Sequence, residues 1–544
     1  MTLGKPAPDA PPRDDARRTA IITGAIFVAF SVLYAVSIGV SKRNLEWTNF
    51  IFDADPGRVL GDALRGQNVG VFMRHPLFTL TIGAVARGLQ AVAEPRASVL
   101  YAVALLSGAS VALAFLFFRA VTERLVTALL MTVLYGLAAA AWVLSSIPET
   151  FAISSGMIVA MLLMHRPEFA QPRASPVRFA LNATVAALAV GVAVPNIVYA
   201  ALAFASNLRS AQPTLRRRIG VFILFSVASL AAFALLGAVQ RAMFPDRAAQ
   251  RSVIGAPIVA AINDPYLRFD HTFHGVDVAR LVRAFTVDNV VAPKAVVEVV
   301  RAPDGPEHMI QYEGRLAPTY PLSVGALLAL VVVIVRTGRV RDVAGRHVAQ
   351  LSLAFVVYNV GFHYFYRANG QPFIFTMHAL FPVLVLVALA YTTTTWRHRE
   401  KLLAGTVALV ALNNVTLVSF VNRALDRRCT SPAGNVCLAW EPAADSARFS
   451  GGVQEFARSA DYPFELGRVE FARSRFDGSI PLFRRALAMD ENHLLSQLYL
   501  GAALIQTNHL NEAIAHLNVS ITRNPSNGDL RRLLSTAQER AGGS

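Results

Sequence analysis

The chain has 544 residues, 54% of them hydrophobic and only 16% charged, with a mean hydropathy of +0.44. A soluble domain carries about a quarter charged residues, so a single water-soluble globule is excluded and a polytopic membrane protein is indicated. The net charge of +16 does not point to nucleic acid, because the arginines are scattered through turns between apolar runs, a pattern that orients helices in a bilayer.

Residues 1–19 are polar and proline-rich and read as a disordered cytoplasmic tail. Ala20–Ser41 is apolar for about 22 residues, enough to cross a hydrocarbon core of roughly 30 Å, and is too long for the core of a secretory signal. His75–Ala93 opens with a proline and carries Arg87 and Gln90, which suits an interfacial helix. Further spans follow at Ser98–Phe118, Val126–Ser145 and Phe151–Met164. Phe179–Ala205 reads as two short spans hinged near Pro195-Asn196. Ile219–Gln240, Leu322–Val335, Val348–Gly361, Ala379–Thr394 and Leu402–Val421 complete about eleven. Arginine clusters fall on alternate turns, which places the N-terminus inside and the C-terminus outside the cytoplasm. The expected fold is all-α: a helical membrane domain over 20–424, with external loops at 42–97 and 241–317, and a small soluble α-solenoid. The expected location is the inner membrane, with the C-terminal domain periplasmic.

After Arg423 the composition becomes that of a soluble domain. An external linker, 425–459, holds Cys429 and Cys437, eight positions apart, a pair suited to a small disulfide in an oxidising compartment. Over 460–544, Leu466-Gly467 recurs as Leu500-Gly501, a shift of 34 positions. Phe483 and Ala486 then match Leu517 and Ser520, and Ser479 matches Ala513. This resembles the tetratricopeptide pattern, whose period is also 34, with 442–459 and 527–541 as flanking helices. Such a domain implies a protein or glycan partner.

The chemistry concentrates in the first external loop. Asp53 and Asp55 stand there with Arg58, Arg74 and His75, while Asp62 reads as a solvated helix residue. Sugar transfer to a hydroxyl or amine needs a carboxylate to take the acceptor proton and cations to hold the departing phosphate. Asp55 is the preferred base, beside Pro56 and Arg58, and Asp53 is second; Asp55-Pro56 equally resembles a helix N-cap with proline at the first position. Glu149 follows Pro148 at the end of a span, where an unpaired acid is costly. His363, Tyr366 and Arg367 form an aromatic and basic cluster that suits a lipid phosphate or a sugar, and equally an aromatic belt. Arg251 belongs to a basic stretch of the long loop. His271 and His274 are spaced HxxH without a third ligand set by spacing, so no metal site is expected.

One span, an external loop with an acidic pair, and a helix opened by Arg74-His75-Pro76-Leu77-Phe78 together resemble the GT-C glycosyltransferases. These include protein O-mannosyltransferases and lipid A aminoarabinose transferases. The resemblance covers about residues 20–400, with Leu77 where the family usually has a second proline. It implies a polyprenyl-phosphate sugar as donor, no further cofactor, and direct inverting transfer with Asp55 or Asp53 as base and Glu149 as a further acid. Two other classes remain open: an oligosaccharide ligase or polymerase that uses arginines of the 241–317 loop, and a non-enzymatic scaffold or transporter.

Overall fold

The computed structural model describes residues 13–38, 51–52, 54, 56–65, 75–122, 124–244, 278–302, 305–312, 320–337, 343–365, 372–394, 396–427, 460, 463–464, 467, 470–471, 475–525 and 527–542. The chain divides into two compact units. One is Met1–Ala295 with Tyr312–Asn422, and the other is Val296–Gln311 with Arg423–Ser544.

The first unit is a helical bundle. Its early elements are α1 (Arg13–Ser37), α2 (Pro56–Arg65), α3 (Ala84–Leu89), α4 (Pro95–Val121), α5 (Leu125–Leu137), α6 (Ala139–Leu144) and α7 (Phe151–Leu163). Then come α8 (Pro176–Val192), α9 (Asn196–Ala211), α10 (Leu215–Met243) and α11 (Val278–Arg283). It closes with α12 (Tyr320–Thr337), α13 (Val343–Phe365), α14 (Met377–Thr392) and α15 (Arg399–Arg427). Five described helical stretches are long and apolar enough to cross a membrane: Asp15–Ser37, Pro95–Val121, Leu215–Met243, Phe373–Thr392 and Arg399–Leu425. Shorter apolar helices in this unit include Leu125–Leu137, Phe151–Leu163 and Pro176–Val192. About eleven spans are expected from the sequence, and five described stretches have the length and apolar character to cross.

Successive long helices alternate between two ends of this unit. At one end the first turn of α1 meets the last of α4 through Asp15 and Arg119 (3.2 Å), and Arg124 meets Glu400 (2.8 Å). His165 and Ser206 join there as well (2.8 Å). Most of the arginine-bearing turns lie at this end, including Arg173, Arg209 and Arg216–Arg218. At the opposite end the Trp142 indole donates to Ser37 Oγ (2.7 Å), and the Asn422 amide donates to the carbonyl of Ser37. Between the ends, α1 and α4 touch so closely that a Cβ on Gly108 would stand 2.2 Å from Ser31 Oγ. Small residues at such a crossing let two helix backbones approach closely.

Two expectations are corrected. The expected single span Val126–Ser145 is broken at Ala138, whose ψ of 146° ends α5 and starts α6. The amides at the start of α6, which lack partners within the helix, are satisfied from far along the chain: Ala139 and Ala140 donate to the carbonyls of Val290 and Asn289 (3.1 and 3.0 Å). Asp62, read as solvated, is 1% exposed. It stands three positions after Val59 and one before Ala63, on the face of α2 that packs with Phe78, Ile82, Val99 and Val103.

The second unit holds the one two-stranded sheet among the described residues, a hairpin of β1 (Ala295–Ala302) and β2 (Gly305–Tyr312) whose outermost residues belong to the first unit. Its helices are α16 (Phe476–Met489), α17 (Leu494–Gln506), α18 (Leu510–Arg523) and α19 (Gly528–Gly542). The repeat is visible in the packing. A Cβ on Gly467 would meet the Phe483 ring at 2.6 Å, and one on Gly501 would meet Leu517 at the same distance. Ser479 and Ala513 are both fully buried where paired helices touch. α19 covers the last pair through Leu530 and Ala537. Cys429, Cys437 and 442–459 lie outside the described residues.

Candidate active site

The end of the bundle away from the arginine-rich turns gathers polar side chains from distant parts of the chain. The turn His75–Phe78 is held at three points. Leu77 N–H donates to the carbonyl of Gly191 (2.8 Å), His75 Nδ1 donates to the carbonyl of Val192, and the Gln240 amide donates to the carbonyl of Pro76 (3.0 Å). The first two acceptors exist because α8 stops at Val192. Pro195 has no N–H to offer Gly191, and Asn196 N–H turns to Ala193 instead (2.9 Å). The sequence break at Pro195-Asn196 is therefore the docking place of the His-Pro motif. A carbonyl has no proton, so Nδ1 carries the hydrogen and Nε2 points away from Val192.

Glu149 is 3% exposed, and its Oε2 accepts from the Thr150 amide (2.9 Å) just ahead of α7. One turn on, Ser154 Oγ receives the Asn196 amide (2.8 Å) and lies 2.7 Å from His378 Nε2. Asn196 also donates to the carbonyl of Ala189 (2.8 Å), so one amide spans the α8–α9 break and reaches α7. The His378 ring lies 5.7 Å from Phe151, and Phe151 lies 5.6 Å from Phe375. Phe375 in turn packs on His363 (4.3 Å), which stacks on Phe285 (5.5 Å).

Asp288, 4% exposed, ends the π-turn that follows α11. It accepts from the Tyr320 hydroxyl (2.9 Å) and pairs with Arg283 Nε (3.0 Å). Tyr312 lies near enough to feel its charge, and Tyr312 packs on Phe52 (4.8 Å). Phe52 holds a left-handed φ of 53° inside a turn closed by Ala54 N–H to the Ile51 carbonyl (3.0 Å). A bulky residue rarely adopts that conformation, and strain of this kind clusters at functional sites.

Of the residues expected from sequence, His75, Glu149 and His363 lie at this end. Asp53, Asp55, Arg74, Arg251, Tyr366 and Arg367, with the side chain of Arg58, lie outside the described residues, as do His271 and His274. Phe52 directly precedes Asp53 in the chain, and its ring packs on both Tyr312 and Phe373 (4.8 and 4.5 Å). The sequence reading missed Asp288, Ser154 and His378. Asp288 was hidden in a long polar loop, and the other two lie within largely apolar runs. Among the described residues no group of three or more His, Cys, Asp or Glu side chains converges as metal ligands do.

Residues 470–537 match the family model described as tetratricopeptide repeat. No curated protein is found that matches the chain. No solved structure is found that matches it. The C-terminal helices thus form a tetratricopeptide-like domain, a type of module that commonly binds proteins.

Proposed function

We propose that this chain is an integral membrane glycosyltransferase that moves a sugar from a polyprenyl-phosphate donor to an acceptor outside the cytoplasm. Its bundle crosses the inner membrane eleven times, through α1, α4, α5 with α6, α7, α8, α9, α10, α12, α13, α14 and α15. The arginine-rich end faces the cytoplasm. The acceptor oxygen or nitrogen attacks the anomeric carbon while the bond to the lipid phosphate breaks and the phosphate leaves with the electron pair. Asp55 or Asp53 takes the acceptor proton, and Glu149 orients the acceptor. His75, Arg58, Arg74 and Arg251 bind phosphate, while His363, Tyr366 and Arg367 contact the sugar or the lipid phosphate. The tetratricopeptide-like domain recruits a protein or glycan acceptor.

The observation that supports this reading best is the gathering of Glu149, Asp288, His75, His363 and His378 at one end of an apolar bundle. Ionisable groups in such a place are expensive, and a simple anchor has no use for them. The test is glycan transfer in membranes with a polyprenyl-phosphate sugar pool, at matched expression. Asp55→Asn or Asp53→Asn should abolish the product, and Glu149→Gln should lower it. Full transfer by all three variants would sink the proposal.

A further inference from the structure

α10 is the most lipid-exposed of the long helices: only 6% of its apolar window is buried. Ile219, Ile223, Val227, Leu230 and Leu235 are all more than half exposed. Gln240, three residues before the end of α10, is 5% exposed and, with Phe225 and Gly237, one of the few buried residues of this helix. Its amide is fully used. Nε2 donates to the carbonyl of Pro76, and Oε1 accepts from Leu80 N–H, both at 3.0 Å.

Pro76 and Leu80 are four positions apart, so in an α-helix their carbonyl and amide would bond to each other. Gln240 is inserted into that step of the ladder, and Leu80 itself lies in a π-turn at Thr79–Gly83. The same opened turn carries His75, whose Nδ1 is committed to Val192. One wedge and one anchor therefore fix the imidazole, and with it the direction of Nε2.

We propose that Gln240 is a positioning residue for His75, wedging the His-Pro turn open so that the Nε2–H of the imidazolium donates to the phosphate of the lipid-linked donor. This rests on the reading that His75 contacts that phosphate. Gln240 touches no substrate and acts only through the turn. The lipid-facing helix thereby bears directly on the phosphate site.

The experiment uses the full chain in nanodiscs, with farnesyl phosphate as the probe of lipid-phosphate binding. Gln240→Met conserves volume and removes both hydrogen bonds. His75→Asn keeps a donor in reach of Val192 and removes Nε2. Each single variant should weaken binding about tenfold, a loss typical of one charge-assisted hydrogen bond. The double variant should bind no worse than His75→Asn alone, because both changes remove the same contact. Hydrogen exchange of peptides covering 76–82 should rise in Gln240→Met and stay unchanged in α4 and α7, which separates displacement of the turn from global unfolding.

Wild-type binding by Gln240→Met overturns the proposal, and so does a further tenfold loss when it is added to His75→Asn. Either result leaves the phosphate-binding role of His75 standing. If the wild-type chain binds no farnesyl phosphate, or His75→Asn binds as well as wild type, the underlying reading of His75 falls and the proposal falls with it.

Discussion

Phe52 packs its ring 4.5 Å from that of Phe373 while its own backbone sits at a left-handed φ of 53°. The two facts oppose each other energetically. The ring is fully buried and contributes packing, whereas the backbone of any residue with a Cβ is strained there by about 1 kcal/mol. Phe52→Ala should therefore lower the apparent melting temperature of the detergent-solubilised chain through loss of about 3 kcal/mol of packing. Phe52→Gly should melt above Phe52→Ala, the reverse of the usual order, because glycine accepts this φ without strain. Equal or inverted melting temperatures would mean that the turn relaxes away from the left-handed region.

Gly191 should tolerate no side chain. A Cβ there would stand 2.3 Å from Leu77 Cδ1 and 2.7 Å from Leu77 Cβ, and the second contact cannot be relieved by a rotamer change. Gly191→Ala should cost about 1–3 kcal/mol and raise hydrogen exchange at the Leu77 amide. Gly88 in α3 has open space around it and serves as the control. Gly88→Ala should leave the melting temperature unchanged or raised.

The pair of Arg283 with Asp288 is lopsided, the arginine half exposed and the carboxylate buried. Removing the arginine takes a cationic partner from a buried charge. Arg283→Leu should cost about 2 kcal/mol, less than the breaking of a fully buried pair because solvent reaches the guanidinium side. Adding Asp288→Asn should recover part of that loss, since the neutral amide would keep an oxygen for the Tyr320 hydroxyl. Strictly additive melting shifts would show that the two groups do not depend on each other.

In the tetratricopeptide-like domain, burial holds the pKa of His516 below the ordinary histidine value, partly opposed by its hydrogen bond to the Gln497 carbonyl and by Glu512. A folded-state pKa below the unfolded one means that the unfolded chain takes up the proton first. The contribution of His516 is therefore fully present above about pH 6.5 and is lost as the pH falls towards the folded-state value. Hydrogen exchange over residues 494–523 of the full chain, corrected for intrinsic rates, should quicken between about pH 7.5 and 5.5, a window set by the ordinary histidine value. His516→Gln should flatten that dependence.

The apolar runs and the repeat were legible because each is a local pattern. Leu466-Gly467 and Leu500-Gly501 announce in sequence the same close approach that Phe483 and Leu517 make in space. Glu149 was legible because an acid beside a span needs a reason. The break at Ala138 was not, since the carbonyls that compensate it come from residues 289 and 290. Asp62 was misjudged by charge alone, although its spacing from Val59 places both on one face of α2. Gln240 carries no signal of its role, because a glutamine near a helix end reads as an interfacial anchor until its partner, a turn some 160 positions earlier, is known.

The long reach of these contacts bears on how the chain is made. Asn422 ties the end of α1 through Ser37, and Asn414 in α15 holds Ala292 N–H and the Val290 carbonyl (3.0 and 2.8 Å). α15 is the last helix of the bundle to leave the ribosome. At about 5–20 residues per second, the earliest helices wait tens of seconds for the asparagines that close the assembly. A nascent chain interrupted before α15 would leave the Ala138 break, the Asp288 turn and the end of α1 without their common strut. Completion of synthesis is thus itself a condition for closing this end of the bundle.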